Sequence, residues 1–141
     1  MKKAVLLLLT LVLFSCSSTV KNSGSKPLFE VLTQQDDGGA NIRFFEILSE
    51  PNEIVMFQND DKLKNKIHPN DIQTSNFIVL NMGEKTTAGY QISVESAVET
   101  DKNIILTIKE TVPEPHAMVS QVFTHPFCIV RINSKKEIII K

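Results

Sequence analysis

The sequence predicts a mainly β domain, a β-sandwich or open barrel of about seven short strands with one short helix near residues 50–61. Three observations predict it. Apolar and polar residues alternate through much of the second half of the chain, clusters of Asp, Asn, Gly and Ser recur at short intervals, and helical spacing is confined to one place.

Phe29–Thr33 reads as a first strand, and the Asp- and Gly-rich 34–41 as a loop. Ile42–Leu48 carries bulky apolar residues on both faces and suits a strand. Ser49 stands where a helix cap belongs, and Pro51 is tolerated in a first helical turn. Ile54, Phe57 and Leu63 then share one face of a short helix ending near Asp61. Residues 65–76 read as loop. Phe77–Met82 is apolar on both faces for most of its length, the mark of a central, covered strand. Ile92, Val94 and Val98 alternate with Ser93, Glu95 and Glu99; Ile104, Leu106, Ile108 and Val112 alternate with Thr107, Lys109 and Thr111. With 100–103 as the turn, these two stretches predict a half-buried hairpin. Residues 112–118 form a rigid connection, because Pro113 and Pro115 cannot donate to a ladder. Val119–Phe123 and Phe127–Ile132 are expected strands broken at Pro126, and residues 137–141 end the chain as a last strand.

The N-terminus has a separate logic. Lys2 and Lys3 precede an apolar stretch from Ala4 to Phe14. Its length, about 16 Å as a helix, falls short of the roughly 30 Å of a bilayer core. It therefore reads as an export signal. Leu13-Phe14-Ser15-Cys16 resembles the bacterial lipobox, whose cysteine is lipidated and becomes the first mature residue. The expected organisation is a signal peptide over 1–15, a flexible polar tether over 16–27 and a β domain over 28–141. More than one acyl chain on Cys16 makes a lasting anchor. The absence of aspartate at position 17 points to the outer membrane facing the periplasm.

Composition narrows the function classes. The chain carries 15 basic and 16 acidic residues. Without Lys2 and Lys3 the mature part holds 13 against 16, a balance near −3, which argues against nucleic acid. With Cys16 assigned to lipid, Cys128 is alone and makes no internal disulfide; it alternates with Val130 and Ile132 and reads as a small buried residue. No cofactor motif stands out. His125 and Cys128, three apart, fall on opposite faces of an extended chain, so no metal site is expected. His68, His116 and His125 lack the elbow or paired acids of a catalytic motif, so no catalytic residue is assigned.

The candidate site is a corner, Gly83-Glu84-Lys85-Thr86-Thr87-Ala88-Gly89-Tyr90. Gly89 supplies an unusual backbone angle, Thr86 and Thr87 are placed to bond their own backbone, and Tyr90 covers the core edge with its hydroxyl outward. Residues 76–132 resemble the C-terminal domain of the protease complex subunit PrcB family. The resemblance rests on this corner, on Pro113-Glu114-Pro115-His116 and on Thr124-His125-Pro126, in that order, and with the preceding strand and helix it extends over most of 42–132. Ala88, His116 and His125 stand where the pattern has glycine, glycine and an aromatic. Thr86–Tyr90 is also similar to the threonine–glycine–aromatic loop of chagasin-like cysteine protease inhibitors. The resemblance implies a lipid-anchored, non-enzymatic subunit that binds a protein partner, a protease, through Thr86, Thr87, Gly89, Tyr90, Pro113, Pro115, His116, His125 and Pro126. The alternative is an inhibitor acting through the 86–90 loop.

Overall fold

In the computed structural model, which describes residues 26–141, β structure dominates. The elements are β1 (Phe29–Gln35), β2 (Arg43–Leu48), α1 (Pro51–Gln58), α2 (Asp71–Thr74), β3 (Asn76–Met82), β4 (Gln91–Glu99), β5 (Asn103–Thr111), β6 (Phe127–Ile132) and β7 (Glu137–Ile140). Cys16, the signal segment and all but the last two residues of the expected tether lie outside the described residues. Two separate sheets form, in the order β1-β6-β3-β2 and β4-β5-β7. The first is antiparallel throughout; in the second, β7 runs parallel to β5. The sheets do not close, so of the two expected architectures the sandwich is the one adopted.

The first sheet is covered on both faces, as the two-faced apolar run of β3 demands. On its inner face Ile78, Leu80, Met82, Cys128, Val130 and Ile132 meet Ile92, Val94, Ile104 and Leu106 of the second sheet. On its outer face Phe77 and Ile129 pack with Leu32, Leu48, Ile54, Leu63 and Ile67 under the helical segment. Phe77 also meets Phe57 edge to face, with ring centroids 6.0 Å apart.

Several local expectations change. The cap of α1 is Glu50, not Ser49, and the Glu53 carboxylate accepts the N–H groups of Glu50 and Ser49 at 3.1 and 3.2 Å. The helix stops at Gln58; Leu63 reaches the same core from the turns that follow. The expected loop 65–76 contains α2, a single turn too short to show a period. The 100–103 turn joins β4 to β5 as expected, but pairing slips between Val94 and Ser96. That bulge moves Ala97 to the core and leaves Val98 57% exposed. Val112 lies beyond β5 and is exposed. Residues 119–123 are not a strand; the Lys85–Thr124 bridge is their nearest ladder contact.

A buried ion cluster fastens the helical layer. Arg131 donates through Nη1 to Asp71 Oδ2 at 2.7 Å and to the Lys66 carbonyl at 3.3 Å, and through Nη2 to Glu30. Asp71 also accepts the His68 N–H at 2.9 Å, so the carboxylate closes the turn ahead of α2 while it pairs with β6.

Candidate functional site

Three loops converge at one end of the sandwich: 36–42, the 83–90 corner and 112–126. The corner follows β3 because Gly83 takes φ +75° in a space where a Cβ would sit 2.9 Å from the Arg43 nitrogen. Glu84 N–H donates to the Asn41 carbonyl at 3.0 Å. Lys85 and Thr124 exchange backbone bonds at 2.8 and 2.9 Å, Ala88 N–H donates to the Ser120 carbonyl at 3.0 Å, and the Thr124 hydroxyl donates to the Thr87 carbonyl at 3.0 Å. The threonine hydroxyls of the corner were expected to bond their own backbone; the corner is instead clasped by the 120–124 segment.

Gly89 has φ +96° and lies against Pro113, whose Cγ would be 3.0 Å from an added Cβ. Ala88 keeps a negative φ, so the alanine at this place carries no left-handed strain. Tyr90 packs at the margin of the inner core with Lys85 Nζ 5.5 Å from its ring centroid. Thr86 is exposed.

The 36–42 loop is held by a buried amide. Asn81 accepts the Ala40 N–H at 3.0 Å and donates to the carbonyls of Ala40 and Ile42 at 2.9 and 2.6 Å. Gly39 N–H donates to the His125 carbonyl at 2.9 Å. His125 sits between two carboxylates. Its backbone N–H and ring Nδ1 both lie 2.9 Å from Asp37 Oδ1, and its buried Nε2 is 3.6 Å from Glu84 Oε2. The hydrogen bond from the imidazole, helped by the Gly38 N–H, holds the Asp37 carboxyl below its usual value of 3.8. An Asp–His pair of this kind serves a nucleophile in hydrolases, but here the far side of the ring faces Glu84. Pro126, fully buried, accepts the Met82 N–H at 3.0 Å and closes the group. Cys128 is also buried, and desolvation pushes its thiol up to about 11 despite a hydrogen bond from Ser93, which makes it a poor nucleophile.

The far end of the third loop is a turn. Ala117 N–H donates to the Glu114 carbonyl at 3.0 Å, Pro115 takes the second position and His116 the third with φ +68°. Those are the marks of a type II turn, which asks for glycine at that third position. The turn is made although histidine stands where the family pattern has glycine, with the strain carried by His116. Pro115 and His116 stand out in solvent, away from the Gly89–Pro113 contact. On the same 112–126 segment, Val112, Met118, Val122 and Phe123 are exposed, Met118 completely and Phe123 by 64%. Reading 119–123 as a strand hid Val122 and Phe123, and reading Val112 as part of the hairpin hid its exposure. The available signal was an apolar run enclosed by Pro113, Pro115 and Pro126, which leaves it few ladder partners.

The corner, Pro113 and the Thr124–Pro126 element thus come together in space as well as in order, while Pro115 and His116 stand apart. Residues 76–133 match the family model described as PrcB C-terminal. This segment belongs to the PrcB C-terminal family. The PrcB segment spans β3 to β6, both sides of the inner core and every predicted site residue except Cys16. Residues 42–75, which the resemblance was expected to include, fall outside the match. No curated protein and no solved structure matches the chain, and the similarity of residues 86–90 to chagasin-like inhibitors is not shown by these comparisons.

Proposed function

We propose that this chain is a lipid-anchored, non-enzymatic accessory subunit of an exported protease complex, gripping its partner with the loop end of the sandwich. The PrcB family points to association with a protease complex. The observation that carries the binding role is the exposure of four apolar residues of one connecting loop, Val112, Met118, Val122 and Phe123. Exposed apolar groups gathered on one loop mark protein contacts. The loop is also pre-ordered by Gly89, Pro113 and the Thr124 bonds, which lowers the entropy lost on binding. Cys16 anchors the chain, through the 16–27 tether, to the periplasmic face of the outer membrane.

Photo-crosslinking from position 118 in the full-length protein in its own cells tests this. The expected product is a covalent adduct with an envelope protease whose activity falls when Met118 and Phe123 are both replaced by Asp. An unchanged protease activity, or an adduct with no protease, contradicts the reading. Cys16→Ser is expected to release the protein from membranes in a carbonate wash. Inhibition of a papain-like enzyme by the purified domain, abolished by Thr87→Arg, points instead to the inhibitor.

A further inference from the structure

Strand β2 pairs with β3 on one side and, among the described residues, has no strand on the other. Among the described residues its backbone bonds run to β3 alone. Every second residue of such a strand turns its N–H and C=O outward, a template that only another extended chain satisfies fully. β2 is six residues long and not blunted by proline.

Both faces of this edge open onto hollows, a mainly apolar one on the outer side and one with apolar and charged walls, Lys141 among them, on the inner side. On the inner side, where β2 faces the margin of the second sheet, Phe45 lines a cleft of about 630 Å³ with Ile108 and Ile140, and the Arg43–Glu110 ion pair (2.7 Å) forms its rim. On the outer side, Phe44 lines a groove of about 380 Å³ with Phe57, Val79, Phe127 and Ile129. Phe44 and Ile47 remain 37% and 38% exposed. An edge with receptive pockets on alternate faces is the arrangement used for strand addition, in which the backbone gives affinity and alternate side chains give selectivity.

Charge selects the occupant. Glu46 lies on the outer face between Phe44 and Leu48, exposed and without an ion pair among the described residues. A second copy fits badly. Pairing β2 with itself about a two-fold axis sets Glu46 against Glu46, Phe44 or Leu48, depending on register, and each loses a cross-strand pair. The geometry points to β2 as a strand-addition site for an extended segment of a partner protein, apolar at alternate positions on both faces and basic where it meets Glu46. The inference rests on the reading that this domain binds a protein, and adds a second surface to the loop end.

The test uses the full-length chain in detergent and a soluble probe: an acetylated eight-residue peptide with lysine at both ends, valine at the positions facing each hollow and lysine at the position opposite Glu46. The expected result is saturable shifts of the amide signals of residues 43–48. N-methylation of the peptide nitrogens that face β2 should abolish them, and methylation of the alternate nitrogens should not. Glu46→Lys, an exposed change that leaves the core intact, should weaken this peptide about threefold and favour by a similar factor a peptide with glutamate at that position. Shifts confined to 112–123, indifference to N-methylation, or concentration-dependent self-association through β2 would each overturn the proposal. Because the crosslink from position 118 reads the loop end alone, either surface can fail without the other.

Discussion

The two ends of β6 are fastened by the same kind of bond in opposite surroundings. Near its end, Arg131 is nearly buried and its partner Asp71 carboxylate is only 3% exposed. Just before its start, His125 is 21% exposed and its partner Asp37 is 64% exposed. The first pair ties the helical layer to the sheet; the second ties two loops to the loop end. A guanidinium keeps its charge at any working pH, whereas an imidazole is charged only when protonated. One end is a fixed fastening and the other a conditional one, and the exposed apolar residues of the 112–126 loop lie on the conditional side.

The largest effect should come from the fixed end. Arg131→Ala leaves Asp71 buried and charged without its partner, at a cost of about 3–5 kcal/mol. Replacing both, as Arg131→Met with Asp71→Leu, should recover most of that loss, because no charge is then stranded. Urea unfolding of the 28–141 domain measures both. A loss under about 1 kcal/mol for the single variant would mean that water reaches the cluster and that the two ends are alike.

The next effect probes the loop end through packing. A Cβ at Gly39 would stand 2.2 Å from Asn81 Oδ1 and 2.7 Å from the His125 carbonyl oxygen. Gly39→Ala should therefore cost about 1–3 kcal/mol as the loop is forced outward. Faster amide exchange should be concentrated at residues 38–42 and at His125, with Arg131 and its neighbours unchanged. Uniform acceleration would show that the two ends are one cooperative unit.

How much of this contrast was legible in the sequence depends on distance along the chain. β3 declared itself through an apolar run with no polar face, and the β4–β5 hairpin through alternation on either side of 100–103. The bulge at Glu95 did not, since one extra residue leaves the composition of β4 intact while turning Val98 outward. Residues 119–123 have the composition of a strand, and periodicity says nothing about whether a partner edge is available. The ion pairs were invisible for a plainer reason: Asp71 and Arg131 are 60 residues apart, and Asp37 and His125 are 88 apart. Local pattern located the corner, the two-proline connection and Thr124–Pro126, and the fold supplied the loop 36–42 that locks onto them.

Acid should loosen the conditional end selectively. Asp37 is held below its ordinary value by the His125 hydrogen bond, so its contribution is fully present above about pH 3.8 and is lost as the pH falls through the lower folded value. The His125 amide, bonded to Asp37 Oδ1, should exchange faster as that carboxyl protonates, after correction for the intrinsic pH dependence of exchange. Asp37→Asn should remove this pH dependence. Persistence of the response in Asp37→Asn would assign it to another group and weaken the contrast between the ends.

The smallest effect concerns the turn beyond the conditional end. His116 holds a left-handed angle that costs an L-residue about 1–2 kcal/mol. Glycine removes that strain but gives back about 0.5–1 kcal/mol of unfolded-chain entropy. His116→Gly should thus raise stability by about 0.5 kcal/mol, within reach of careful urea titration. The more informative reading is binding. If the strained imidazole is kept only as turn geometry, His116→Gly leaves the position-118 crosslink unchanged or stronger. If the ring itself touches the partner, the crosslink weakens although the domain is more stable, because strain of this kind persists where a side chain is needed in place. Opposite signs for stability and capture would put His116 on the contact surface; equal signs would leave it a turn residue and confine the surface to Val112, Met118, Val122 and Phe123.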